Sequence, residues 1–113
     1  MIHKMKLQGD PFQKITEGSK TIELRLYDEK RQLVQVGDRI EFTNLEDPSQ
    51  KLLAEVLRLH IYDTFEEMFR TLPAVAMGFS PGETPDPKIM ENYYSPEEQA
   101  TYGAVGIELS VVK

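Results

Sequence analysis

The sequence has no cysteine and no tryptophan, and only two histidines, His3 and His60. Without thiols there is no disulfide scaffold, thiolate zinc site, iron–sulfur cluster or cysteine nucleophile. Two histidines leave little material for an imidazole metal site, and no metal or other cofactor is implied. No run approaches the roughly 18 apolar residues of a membrane span. The opening Met-Ile-His-Lys-Met-Lys-Leu lacks the apolar stretch of a secretory signal. The chain therefore reads as soluble and cytoplasmic, with no membrane partner. Its 113 residues make one domain, 1–113, long enough to bury a core unaided. Recurring Leu, Ile, Val, Met, Phe and Tyr exclude a disordered chain.

Basic charge is scarce and unevenly placed. The formal net charge is −6. Residues 1–40 carry eight Lys/Arg against six Asp/Glu, a net of +2, whereas residues 41–113 carry five against thirteen, a net of −8. Wrapping duplex DNA needs many cations facing phosphates, which an acidic chain does not supply. A local basic pocket in the first third stays open.

The periodicities describe an α+β chain. Ile2 to Leu7 reads as a short strand with Met5 and Leu7 on one face. Asp10-Pro11-Phe12-Gln13 reads as a helix start, with Asp10 at the N-cap and Gln13 in the capping-box position. Gly18 is expected to end that helix in a left-handed conformation. Thr21 to Tyr27 follows as a strand, with Ile22, Leu24 and Leu26 on one side and Thr21, Glu23, Arg25 and Tyr27 on the other. A charged connection leads through the turn Val36-Gly37-Asp38 to a strand over Arg39 to Thr43. Leu52 to Tyr62 is a strand too long to run flat, so a bulge is expected. Capping patterns at Asp63-Thr64-Phe65-Glu66, Asp86-Pro87 and Ser95-Pro96-Glu97-Glu98 open three further short helices. Alternating Val105, Ile107, Leu109 and Val111 form the last strand. Five strands distant in sequence fit a small mixed, largely antiparallel sheet curled into a β-barrel, with short helices at its ends.

The densest charge without an obvious structural use lies in Glu17 to Arg31, EGSKTIELRLYDEKR. A half-buried strand normally turns its charges outward into water, where ion pairs contribute little. Glu23 and Arg25 share one face. Lys20 has the opposite parity, so it meets Glu23 only by projecting from the turn that Gly18 permits.

Gly18-Ser19-Lys20-Thr21-Ile22-Glu23-Leu24-Arg25 resembles the G-x-K-x-x-E-x-R signature of the ASCH domain, named for homology to activating signal cointegrator. Pro11-Phe12, Ile15, Val36-Gly37-Asp38, Ile40-Glu41-Phe42, Tyr102-Gly103 and Gly106-Ile107-Glu108-Leu109 extend the likeness over nearly the whole chain. The resemblance implies a barrel related to the PUA RNA-binding domains, with the signature lining a cleft between barrel and helix. It also implies two functions. Such domains are thought to bind RNA or nucleotide-like ligands, and a few small bacterial members are amidohydrolases acting on acylated cytidine. In those enzymes the signature lysine activates a threonine nucleophile, with a glutamate from a later loop. The lysine maps onto Lys20, but the nucleophile maps onto Glu23, and a carboxylate does not simply replace a hydroxyl in acyl transfer. Thr21 is a poor substitute, and Glu83 and Glu91 are both candidates for the later glutamate.

Binding of a nucleotide, modified base or short single-stranded RNA thus ranks ahead. The expected ligand contacts are Lys20, Thr21, Glu23, Arg25, the basic pair Lys30 and Arg31, and Tyr94 as a stacking platform. The alternative is a metal-independent amidohydrolase in which Glu23 acts as general base on water and Lys20 or Arg25 stabilises an oxyanion. Tyr93 is expected to pack on the barrel with Met90. His60 is read as structural or surface, and His3 as surface. Nothing in the pattern identifies a protein partner.

Overall fold

A computed structural model describes residues 1–113. Five strands form one sheet: β1 (Ile2–Leu7), β2 (Ile22–Leu26), β3 (Arg39–Asn44), β4 (Lys51–Tyr62) and β5 (Ala104–Val111). Their spatial order is β1-β3-β4-β5-β2. The β1–β3 pair is parallel and the other three are antiparallel. The sheet curls into a half-barrel in which β1 and β2 are the two free edges. Three α-helices complete the fold: α1 (Gly9–Glu17), α2 (Phe65–Thr71) and α3 (Pro96–Tyr102). Two 3₁₀ turns cover Arg31–Leu33 and Pro87–Asn92. No helix is long and apolar enough to cross a membrane.

The elements follow their local signals closely. The register of β4 against β5 slips between Val56 and Arg58, the bulge that lets a 12-residue strand bend around the barrel. Thr64 accepts a bond from the Glu67 amide, and Ser95 and Glu98 form a complete capping box. Gly18 closes α1 at φ 89°, in the left-handed region.

The start of α1 differs from expectation. The helix begins at Gly9 with Gln8 as N-cap, and no side chain caps it. Asp10 lies in the first turn and pairs with Lys14 at 3.1 Å, one helical turn on, while Gln13 bonds Glu17. Asp10 already lies inside the helix, whose first turn closes on the Gln8 carbonyl, which accepts from the Phe12 amide at 3.1 Å.

Two apolar clusters form the core. The larger lies inside the half-barrel and includes Met5, Phe12, Ile15, Ile40, Phe42 and Ile107. The smaller lies outside β2 and includes Ile22, Phe65, Met68, Met77 and Met90. The register explains how β2 serves both. Directly paired residues project on the same side of a sheet. Glu23 is opposite Ile107 and Arg25 opposite Val105, so the charged face of β2 looks inward. Ile22 and Leu24 pack the other way, in the cluster formed with α2 and the loops after it. The charged face is therefore not a solvated exterior. This inversion creates the site.

Candidate functional site

Glu23 is carried into the mouth of the half-barrel by β2, and two cations meet it there. Lys20 Nζ lies 3.0 Å from Oε1, and Arg25 Nε donates to Oε2 at 2.7 Å. Lys20 reaches Glu23 from the turn after Gly18, as the parity requires. The three side chains are only 9%, 6% and 13% exposed in the order Lys20, Glu23, Arg25. Burial by itself would raise the Glu23 pKa. The charges of Lys20 and Arg25 and their hydrogen bonds more than offset it and hold the carboxyl below its ordinary value of 4.5. Arg25 does a second thing: its Nη2 donates to the Lys6 carbonyl at 2.7 Å, bridging edge strand β2 to edge strand β1.

Unused valences remain on this triad. A carboxylate has about four lone-pair positions, of which the two cations occupy two, and a lysine ammonium has three donors. Donor, acceptor and donor thus stand side by side at the floor of a cleft of about 360 Å³, within the range of small-molecule sites. One wall comes from β1 and α1, with Lys6, Gln8, Asp10 and Lys14. The other is apolar and aromatic, with Met77, Phe79, Ile89, Met90, Tyr93 and Tyr94.

Tyr94 is held as part of that wall by Phe65, whose ring lies parallel to it at 6.2 Å. Tyr93 does not pack on the barrel with Met90; it stands 67% exposed at the rim. It follows the 3₁₀ turn Pro87–Asn92, which directs Met90 inward and leaves the next side chain outside.

Several expected residues lie elsewhere. Thr21 is outside the cleft lining, its amide bonded to the Ala76 carbonyl. Lys30 and Arg31 are also outside it, and Arg31 is tied to Asp28 by Nη1 and by its own amide. Neither candidate for the later glutamate reaches the cleft. Glu83 accepts from the Ser80 amide within its own turn, and Glu91 borders a separate depression beside α2 and α3. His60 pairs with Glu108 at 2.9 Å on the neighbouring strand. His3 is more enclosed than expected, its Nε2 being 2.8 Å from Asp38. No three His, Asp or Glu side chains gather into a metal site.

Two contributors were invisible in the sequence pattern. Lys14 Nζ donates to the Gly78 carbonyl at 2.8 Å, closing α1 onto the loop that carries Met77 and Phe79. Gly78 has φ +103°, and a Cβ there would stand 2.9 Å from Lys20 Cδ. The lysine stem thus lies where any other residue would put a side chain. The only advance sign of Lys14 was the basic excess of residues 1–40.

A curled mixed sheet with a buried cation–carboxylate–cation group at its open side defines a PUA-like half-barrel with a charged cleft. The chain belongs to the ASCH domain family, whose pattern matches residues 5–113. It is similar over 99% of its length to the whole of the hypothetical protein PH0355, at 31% identity and TM-score 0.84. It is also similar to PF0455 from Pyrococcus furiosus, at 29% identity and TM-score 0.75, covering 100% of this chain and 99% of that one. A mutant of ZmASCH from Zymomonas mobilis shares the fold at 14% identity and TM-score 0.68, covering 96% of this chain and 67% of that one. No curated protein matches.

Proposed function

We propose that the chain is a binding module whose cleft holds one nucleoside-sized ligand. The observation that carries this reading is Glu23, buried between Lys20 and Arg25 at the floor of the cleft. An acceptor flanked by donors matches the edge of a nucleobase, where amines and carbonyls alternate. Aromatic residues opposite provide a surface for the ring, as they do for unstacked bases. The acidic balance of residues 41–113 favours a small ligand over a long polyanion.

Acyl transfer is less well supported. No Ser, Thr or Cys lines the cleft, so the threonine nucleophile of the enzymes this chain resembles has no aliphatic hydroxyl or thiol counterpart there. Glu23 is held below its ordinary pKa, which makes it a weak base toward water.

The test is a thermal-shift titration with ribonucleosides and modified nucleosides, since a ligand specific to the folded state raises Tm. At least one nucleoside is expected to raise the Tm of wild type, and Glu23→Gln is expected to lose that shift. Absence of any shift across the set would sink the reading. Release of free cytidine from an acylated cytidine is measured alongside, and none is expected. Robust turnover that disappears in Glu23→Ala would put the amidohydrolase first.

A further inference from the structure

Charge around the cleft is not balanced. Lys6, Lys14, Lys20 and Arg25 border it against only two carboxylates, Asp10 and Glu23. Glu23 is engaged by Lys20 and Arg25. Asp10, the partner of Lys14, is 77% exposed, and such a solvated pair holds its lysine weakly. Gly78 then draws two ammonium groups to one place. Its carbonyl accepts from Lys14 Nζ at 2.8 Å, and the point its Cβ would occupy lies 3.5 Å from Lys20 Nζ. One lysine comes from α1 and the other from the turn before β2. Lys20 has spent one of its three donors on Glu23.

We propose that the ligand is phosphorylated, a nucleoside monophosphate whose phosphate lodges between Lys14 and Lys20 beside Gly78. The inference rests on the nucleoside-binding reading and adds the phosphate to it. A phosphate monoester brings about −1.5 to −2 charge and three acceptor oxygens, which suits two converging ammoniums. The lining from Ile89 to Tyr94 offers no cation, and its apolar and aromatic side chains receive the base. Gly78 matters because a side chain at its position would meet the Lys20 stem. The net charge of −6 repels additional phosphates and favours a mononucleotide over a polymer.

The experiment is titration calorimetry at low salt with the four ribonucleosides, their 5′-monophosphates and a short single-stranded RNA. Wild type is compared with Lys14→Gln and Lys14→Arg, at a half-buried helix position outside both core clusters, with the Tm of each variant measured beside it. At least one monophosphate is expected to bind about tenfold tighter than its nucleoside, as one charge-assisted contact provides. Lys14→Gln should bring that ratio close to one, and Lys14→Arg should restore it. Equal affinities in wild type, or a preference that survives Lys14→Gln, would overturn the phosphate site and leave nucleoside binding intact. Binding of neither class would overturn both. An RNA that binds far more tightly than any monophosphate would overturn the restriction to one nucleotide.

Discussion

A carboxylate on the inner face of a curled sheet loses most of its hydration, and at Glu23 two cations compensate for the loss. Removing the carboxylate strands both cations. Glu23→Ala is therefore expected to cost about 3 kcal/mol, the lower end for breaking a buried pair, measured by urea unfolding. A change below about 1 kcal/mol would mean that water screens the triad as it does a surface pair. The pH dependence has a definite sign. A carboxyl whose folded pKa is depressed adds stability above its unfolded value of 4.5, and that stability is lost as pH falls through the folded value. Asp38, lowered mainly by its hydrogen bond to His3, acts in the same direction. Wild type should thus lose Tm on acidification below 4.5, and Glu23→Gln should lose less without becoming flat. An identical acid profile in the two proteins would refute the assignment to Glu23. At this scale the sequence was partly legible. Lys20, Glu23 and Arg25 were readable because they lie within six residues of one another around a single turn. Lys14 and Gly78 were not, because they meet only through the fold, 64 residues apart.

Helix α1 shows which end signals decide a boundary. Its C-terminus is set by a conformation: Gly18 adopts φ 89° with open space where a Cβ would stand, so the backbone alone favours glycine. Gly18→Ala should destabilise by about 1 kcal/mol, with no steric contribution. Its N-terminus is set otherwise. Asp10 touches Lys14 and caps nothing, so Asp10→Ala should cost only about 0.3–0.5 kcal/mol, the worth of an exposed pair one helical turn apart. Ser95→Ala, which dismantles a real capping box, should cost about 1 kcal/mol. Equal losses in the two variants, compared in one denaturation series, would mean that Asp10 caps α1 after all. The distinction was not readable beforehand, since Asp10-Pro11 and Ser95-Pro96 present the same dipeptide pattern. Ser95 has Glu98 three residues on to return the bond. Gln13, the corresponding residue in α1, is drawn instead to Glu17.

At the scale of the molecule, strand alternation identified the members of the sheet but left open which face of β2 was the inside. Both faces are buried, one against the barrel core and one beneath α2, and a period of two distinguishes faces without orienting them. The pairing with β5 orients them and leaves β1 and β2 as unjoined edges of a half-barrel. Arg25 spans that opening, with Nε on Glu23 and Nη2 on the Lys6 carbonyl. Its fork of donors serves both partners at once, whereas a lysine ammonium is a point charge on a flexible stem. Arg25→Met preserves much of the stem's apolar contact and removes the donors. It should raise amide hydrogen exchange in β1 and β2 more than in β3, β4 and β5, because edge strands held on one side open by local fluctuations. Arg25→Lys should fall between the two, retaining the charge beside Glu23 but losing the link to Lys6. If Arg25→Met instead exchanges faster by one factor across all five strands, the bridge contributes only to global stability. The cleft's mouth would then be held open by the strands themselves, without the arginine.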